Sequence, residues 1–530
     1  MIEKEFFSPI DTFFSKTLLE QVSSDTTNLC LEYLMYVSRK GHLCLAIEED
    51  KVTPNLIDSP SLEKKIIEDF YKIPYQLFSS EEKTTAPLIK WDNYLYLQKN
   101  WVYESKIVSS LKKVLHERPA GIDLVKGKEK LNSFSLTDEQ KNAIEHVFKN
   151  SLTIICGGPG TGKTFTAAKL IAVFHEIFSG ESPEITITAP TGKAVSYLEE
   201  KLSGAFTINA KTLHALLKLS PNSAPAFSEN ILTSDLIIVD EASMIDAKLM
   251  AYLLSSIKPG ARLVLMGDPN QLPPVDVGSV FSDLSKIDAC FLRKSKRFEN
   301  DNITTFASLI EKANAQEILQ FIQSGTIPFY NWNFSDVDVC LKKLSNNFLD
   351  HIIWNDKQAI DPKEALQKFQ DFKILTCMRK GPFGVDELNQ FFFKQAKFRK
   401  KSDEYLAIPI IVSKNDYLLE LFNGMSGVLI IGGQKEKLYF LINGQIREFD
   451  SSSFIKYEYG FALSVHKSQG SEFNQVLTIL PKGSETFGRE ILYTAVTRAK
   501  KNLTIAGSLP AIEEVIRKEG KKHSTILKRL

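Results

Sequence analysis

Leu152-Thr-Ile-Ile-Cys156-Gly-Gly-Pro-Gly-Thr-Gly162-Lys163-Thr164 is the stretch from which the rest of the chain can be read. Its first five residues read as a strand buried on both faces, and residues 165–178 read as a helix. Between them Gly157 to Thr164 fit GxxxxGK[ST], in the strand-to-helix context that a phosphate-binding loop requires. A plain glycine turn is the alternative, but chance would supply the full pattern in roughly two of a hundred chains of this composition. The glycines let backbone N–H groups close around phosphate oxygens, and the helix N-terminus adds positive potential. Lys163 would reach the outer phosphates and Thr164 would ligate Mg²⁺. Gly157, Gly158, Pro159, Gly160, Thr161, Gly162, Lys163, Thr164 and Phe165 are therefore expected to surround a nucleotide.

Working outward, Ile185-Thr-Ile-Thr-Ala189, Leu236-Ile-Ile-Val239 and Arg262-Leu-Val-Leu-Met266 are further unbroken apolar runs. Strands without polar alternation belong to a parallel sheet covered by helices on both faces. A second set, Lys373-Ile-Leu-Thr-Cys377, Gln475-Val-Leu-Thr-Ile-Leu480 and Leu503-Thr-Ile-Ala506, predicts a second α/β domain. Short strands at Ile408-Pro-Ile-Ile-Val412, Gly427-Val-Leu-Ile-Ile431, Lys437-Leu-Tyr-Phe-Leu441 and Gln445-Ile-Arg-Glu-Phe449 predict a small β-barrel inserted in it. The N-terminal 115 residues read as mixed α/β, with a hairpin at 87–97 turning on Asp92-Asn93. Residues 121–130 read as a polar linker. The division expected is 1–115, 116–325 and 326–530, with the barrel at about 402–457.

The 530 residues are 43% hydrophobic and 24% charged, which fits a packed globular protein of several domains. With 65 Lys plus Arg against 64 Asp plus Glu, any polyanion site must be local. Six scattered cysteines without a CxxC pair argue against zinc and disulfides and for buried thiols. The start carries acid where a signal peptide needs base, and no apolar run approaches membrane-spanning length, so a cytoplasmic location without membrane association is expected.

Ile237-Ile-Val-Asp240-Glu241 ends a strand in two carboxylates. Asp240 suits Mg²⁺ and Glu241 suits polarisation of an attacking water; a solvated strand end is the alternative until the phosphate loop is counted with it. Gln140, in Thr137-Asp-Glu-Gln140, either closes a capping box or reads an adenine edge, and both stay open. Gln271, in Gly267-Asp-Pro-Asn-Gln271, follows another strand and suits a γ-phosphate sensor, although its neighbours are ordinary turn residues. Arg297 and Arg498 are candidate arginine fingers; taken singly, each also reads as a surface residue.

Ala189-Pro-Thr-Gly-Lys-Ala194, Thr212-Leu-His214, Asp240-Glu-Ala-Ser-Met244, Val465-His-Lys-Ser-Gln-Gly-Ser-Glu-Phe473 and Tyr493-Thr-Ala-Val-Thr-Arg-Ala499 resemble the ordered motifs of superfamily 1 helicases. The pattern is most similar to the RecD family, α subunits of exodeoxyribonuclease V, and covers nearly the whole chain. That resemblance implies an α/β fold of two RecA-like P-loop NTPase domains with an inserted SH3-like β-barrel and a mixed α/β N-terminal domain. It implies an ATP-driven, Mg²⁺-dependent 5′ to 3′ helicase on single-stranded and duplex DNA, acting in double-strand break repair and recombination. Lys163, Thr164, Asp240, Glu241, Gln271, Arg297 and Arg498 would take the ATPase roles, Gln140 would contact adenine, and Thr191, His214 and His466 would lie along DNA.

The resemblance also implies a heterotrimer with RecB-like and RecC-like subunits, the latter against the N-terminal domain. No nuclease carboxylate cluster accompanies the motifs, so cleavage would reside in partners. A stand-alone RecD-like helicase is the runner-up, although such proteins usually carry a longer N-terminal region with helix-hairpin-helix elements. A non-translocating assembly subunit is the reading from outside the motor class. Lys296 stands where relatives often carry an aromatic, and residues 220–228 are short and proline-punctuated where relatives place a strand-separating hairpin.

Overall fold

The computed structural model describes residues 6–22, 28–48, 50–57, 59–79, 86–178, 182–202, 209–220, 226–227, 229–294, 301–332, 334–416, 418–432, 435–442 and 444–530. Four sheets organise them. The first is a five-stranded sheet in the order Lys51–Thr53, Cys44–Glu48, Tyr94–Leu97, Leu88–Trp91, Phe78–Ser79. The expected hairpin is present, with Trp91 paired to Tyr94 and Asp92 at the turn with φ 53°, a conformation Asp tolerates. Helices Pro9–Glu20, Leu29–Arg39 and Pro60–Phe70 close its core around Leu31, Leu34, Ile66 and Leu95.

From this sheet the helix Gln98–His116 runs onto the next domain, where Ile107 and Leu111 share one core with Leu43, Ile237, Met250 and Leu265. Residues 121–130, read from sequence as a linker, instead enter the helix Leu124–Asn132. Asp123 caps it by accepting from the Lys126 amide, and Gly127 lies flush against Phe148 and Ile177. The lysines that gave the stretch its linker character are the solvent face of an amphipathic helix.

The second sheet is six-stranded and parallel, in the order Ala289–Leu292, Leu152–Gly157, Arg262–Gly267, Leu236–Val239, Ile185–Ala189, Asn209–Thr212. The third is also parallel along Phe329–Asn331, Ala499–Gly507, Phe473–Leu480, Phe372–Thr376 and Ala462–Ser464. Helices Asp301–Glu311 and Ala315–Gln323 fall on the first-domain side of the sequence division at 325. Their Ile303, Phe306, Ile318 and Ile322 nevertheless pack with Ile491, Val496, Leu503 and Ile505 of this third sheet's domain.

The fourth sheet is antiparallel: Trp354–Asp356, Tyr405–Val412, Ser426–Gly432, Lys435–Ile442 and Gln445–Asp450, with Tyr457–Tyr459 pairing to Tyr405–Val412. Its strands fall where the short runs predicted them. Among the described residues no helix is long and apolar enough to cross a membrane.

Candidate nucleotide and nucleic-acid site

In a parallel sheet the chain turns into loops at the carboxyl ends of the strands, and ligands collect there. Strand Leu152–Gly157 delivers the glycine loop to that edge, and helix Lys163–Ile177 starts immediately after it. Gly160 and Gly162 have φ of 78° and 87°, values open to glycine at no steric cost. A Cβ on Gly162 would also stand 2.7 Å from Gln140 Nε2. Gln140 thus serves as the cap and touches the loop as well: its Oε1 accepts from the Thr137 amide at 3.1 Å while its nitrogen faces Gly162. The Lys163 ammonium turns back on its own loop, donating to the carbonyls of Gly157 at 2.6 Å and Gly158 at 3.3 Å. It is held at the position from which a phosphate oxygen would draw it.

Asp240 and Glu241 follow strand Leu236–Val239, and Asp268 follows Arg262–Gly267. The Thr164 hydroxyl lies beside Asp240, whose carboxyl is pushed up to about 6 by burial first and by the Glu241 carboxylate second, against the pull of Lys163. Glu241 sits in the left-handed region at φ 52°, an unusual conformation for a non-glycine residue and one found at functional sites. Hard oxygen donors on Thr164 and Asp240, beside a glycine cradle and a lysine, fit a magnesium-bound triphosphate rather than a soft metal.

Asp268 is 2% exposed. One of its oxygens accepts from the Asn270 amide at 3.0 Å; the other accepts from Gln271 Nε2 at 3.3 Å and from the Tyr493 hydroxyl at 3.1 Å. Burial raises the acid's pKa, with Lys163 opposing, and drives the Tyr493 phenol far higher, so Tyr493 is the donor. Gln271 Oε1 is buried and has no hydrogen-bond partner among the described residues.

Tyr493 belongs to the other parallel domain, on helix Arg489–Val496. Its oxygen lies 3.2 Å from where a Cβ on Gly158 would be, so it abuts the glycine loop. Next to it the Thr494 hydroxyl accepts from the Leu272 amide at 2.8 Å, and Gln469 Nε2 donates to the Leu272 carbonyl at 3.3 Å. Arg498 is 3% exposed and donates to the carbonyls of Thr494 and Ser471, both at 3.2 Å. Lys193 of the first parallel domain donates to the Ser471 hydroxyl at 2.5 Å; burial and then the Arg498 cation bring its ammonium down to about 8. Two cations from opposite domains thus meet at Ser471 beside the cleft.

The RecBCD enzyme subunit RecD of Mycolicibacterium smegmatis is 32% identical over 470 residues, covering 82% of each chain. This chain belongs to the RecD family. The RecD subunit of Haemophilus influenzae is 30% identical over 528 residues, covering 84% of this chain and 81% of that one. The ATP-dependent RecD2 DNA helicase of Deinococcus radiodurans is 30% identical over 467 residues, 85% of this chain and 60% of that protein. An AAA domain matches residues 135–329 and a UvrD-like helicase C-terminal domain matches residues 459–506. Among solved structures, that of Pif1 helicase from Bacteroides in complex with ADP-AlF3 and ssDNA is 16% identical with a TM-score of 0.42, covering 73% of this chain and 95% of that one.

In this RecD-family chain the nucleic-acid candidates lie at strand ends of both parallel sheets. Thr191 follows Ile185–Ala189 and accepts from the Ala194 amide at 3.3 Å; exposed His214 follows the adjacent Asn209–Thr212. His466 follows Ala462–Ser464, and burial first, then the Lys522 ammonium, push its imidazole down to about 4, leaving it neutral. Gly192 lies against Phe422, where a Cβ would approach to 3.2 Å, so the loop around 422 reaches across to the Thr191 turn. Arg297 and its neighbour Lys296 lie outside the described residues, as do 221–225 and 228 of the shortened hairpin stretch.

Three parts of this arrangement escaped the sequence. Tyr493 and Asp268 were visible only as members of longer motifs, and Lys193 only as a lysine within Ala-Pro-Thr-Gly-Lys. Their pairing across domains joins residues 225 and 278 positions apart, for which no local pattern exists.

Proposed function

We propose that this chain is the ATP-driven 5′ to 3′ DNA helicase subunit of a RecBCD-type exonuclease, working with RecB-like and RecC-like chains in double-strand break repair and recombination. The observation that carries the reading is the meeting of Lys163, Thr164, Asp240 and Asp268 on one parallel domain with Tyr493, Thr494 and Arg498 on the other. We read the two parallel domains as RecA-like, dividing near residue 300, and the antiparallel sheet as an inserted SH3-like barrel.

ATP would lie on Gly157 to Phe165, with Lys163 leaving its loop carbonyls for the outer phosphates and Gln140 beside the base. Thr164 and Asp240 would hold Mg²⁺, which when bound neutralises charge on the phosphate oxygens. Glu241 orients the attacking water, Gln271 offers its unpartnered Oε1 within the same buried corner, and Arg498 supplies positive charge from across the cleft. Loss of the γ-phosphate removes the charge-assisted contacts that draw the domains together, and the cleft relaxes. Thr191, His214 and His466 grip the strand; a grip that differs between the closed and open states advances it. Arg297 belongs to this proposal as a second finger.

The test is DNA-stimulated ATP hydrolysis and unwinding of 5′-tailed and 3′-tailed duplexes by the full chain, alone and with RecB-like and RecC-like partners, with Lys163→Gln as control. Stimulated hydrolysis and preference for the 5′ tail are expected. Preference for the 3′ tail would overturn the polarity, and absence of stimulation in the full complex would reduce the chain to an assembly subunit. The match to RecD2 favours one second reading, a helicase active by itself, which unwinding without partners would establish.

A further inference from the structure

Along the described residues the polypeptide passes between the two parallel domains twice. The first crossing leads from strand Ala289–Leu292 to helix Asp301–Glu311. The second lies at a single residue, Lys521.

Residues 518–520 are fastened to the second parallel domain at the start of helix Arg489–Val496. The Arg489 amide donates to the Lys518 carbonyl at 2.9 Å, and the Gly520 amide donates to Glu490 Oε2 at 2.7 Å. Arg489 bonds to Glu519 at 3.1 Å. The approach is so close that a Cβ on Gly488 would come within 2.2 Å of the Gly520 nitrogen. This is the helix that carries Tyr493 and Thr494 one turn further on.

Residues 522–529 are fastened to the other side. The Lys522 amide donates to Ser279 Oγ at 3.1 Å and Ser524 Oγ donates to Asp283 at 2.6 Å, both on the first parallel domain. The His523 amide donates to His42 Nδ1 and its carbonyl accepts from the Leu43 amide, each at 2.9 Å. Thr525 and Arg529 then converge on Glu104, which is fully buried; Arg529 also donates to Ser105 Oγ at 2.7 Å and lies 3.9 Å from the Trp101 ring centre. Ile526 is fully buried in the core that unites the N-terminal helix Gln98–His116 with the first parallel sheet. Lys521 alone spans the gap, and it lines a small cavity with Ser243, Asp268, Gln271 and Ser279.

Bodies tethered through so short a link pivot about it, with the strain taken up by a few backbone dihedrals. We propose that residues 518–530 are a second hinge strand: they fix the axis on which the cleft opens and closes, and thereby position helix Arg489–Val496 against Asp268 and Gln271 at each closure. Without the second anchor the helix still reaches the glycine loop, but over a wider range of orientations, few of which seat Tyr493 and Thr494 together. The positioning consequence rests on the proposed motor function; the mechanical one does not.

The experiment inserts a flexible Gly-Ser segment of about six residues between Lys521 and Lys522 of the full chain, leaving every anchor in place. Labels at Val125→Cys and Phe398→Cys, which are 70% and 89% exposed on the first and second parallel domains, report the interdomain distance distribution. The insertion is expected to broaden that distribution, leave the melting temperature and the KM for ATP within about twofold of the parent, and lower the DNA-stimulated kcat at least about fivefold. An unchanged distribution overturns the hinge, and a broadened one with unchanged kcat overturns the positioning role. If the parent shows no DNA-stimulated turnover, the motor reading fails, while the distance measurement still decides the hinge.

Discussion

Replacing Tyr493 by Phe removes one oxygen atom and, with it, the hydrogen bond that ties the second parallel domain to Asp268. The ring, 5% exposed among Leu492, Val496 and Leu480, keeps its packing, so the perturbation is confined to the bond. Hydrogen bonds to charged groups contribute about 1.5–3 kcal/mol. Asp268 retains the Asn270 amide and the longer contact from Gln271, which places the loss near the lower figure, about 1.5 kcal/mol. Because the bond exists only while the domains are closed on each other, that energy comes off the closed state. A hydrolysis step confined to the closed state then slows by about tenfold. Steady-state ATP hydrolysis with saturating single-stranded DNA is the assay, with kcat and KM separated. The expected result is a kcat about one tenth of wild type, a KM within about twofold, and an unchanged melting temperature. A kcat equal to wild type would show that this contact bears no closure energy, and the link between Tyr493 and the glycine loop would fall.

Arg498→Ala should leave nucleotide binding largely intact while slowing hydrolysis by about 10³-fold, as for a charge supplied in cis to the transferred phosphoryl; unchanged turnover removes Arg498 from that role. Acidification should weaken Mg-nucleotide binding through Asp240. Its acid is shifted upward to about 6, so the ionised form is lost as pH falls through that value, and at pH 5.5 the apparent KM should be about fourfold above that at pH 7.5. Asp240→Asn should show only the nucleotide's own titration, and identical pH profiles would refute the assignment. Glu104→Ala breaks a buried pair and leaves Arg529, 12% exposed, without its carboxylate, at a cost of about 3 kcal/mol. Thermal unfolding should move down by at least about 5 °C, and an unmoved transition would mean that the 518–530 segment does not depend on Glu104.

The phosphate-loop half of the candidate site was legible because its pattern is local. A strand, a glycine loop and a helix stand in one continuous run from Leu152 to Ile177, and Asp240 follows an unbroken apolar strand. The antiparallel strands were legible for the same reason: turn residues separate runs whose lengths match strands. Reading failed where composition and conformation part company. Lysines at 126, 128 and 130 look like a linker but form the wet face of a helix held by Asp123 and Leu131. Helices at 301–323 precede the second set of strands in sequence and pack beneath it in space. Near the C-terminal end, Arg529 neutralises a carboxylate that is more than 400 residues distant in the chain and fully buried. No periodicity encodes such a partner, since the partner lies in a different layer of the molecule.

The core shared by helix Gln98–His116 and the first parallel sheet has a mechanical corollary. Leu43, Ile107, Leu111 and Ile526 are buried in one cluster with Ile237 and Leu265, so the N-terminal region is no pendant on a loose stem. It is the casing in which the phosphate loop is mounted. A chain that grips this region grips the stator of the machine, and every ångström of travel generated by fuel must then emerge in the lobe bearing Arg498.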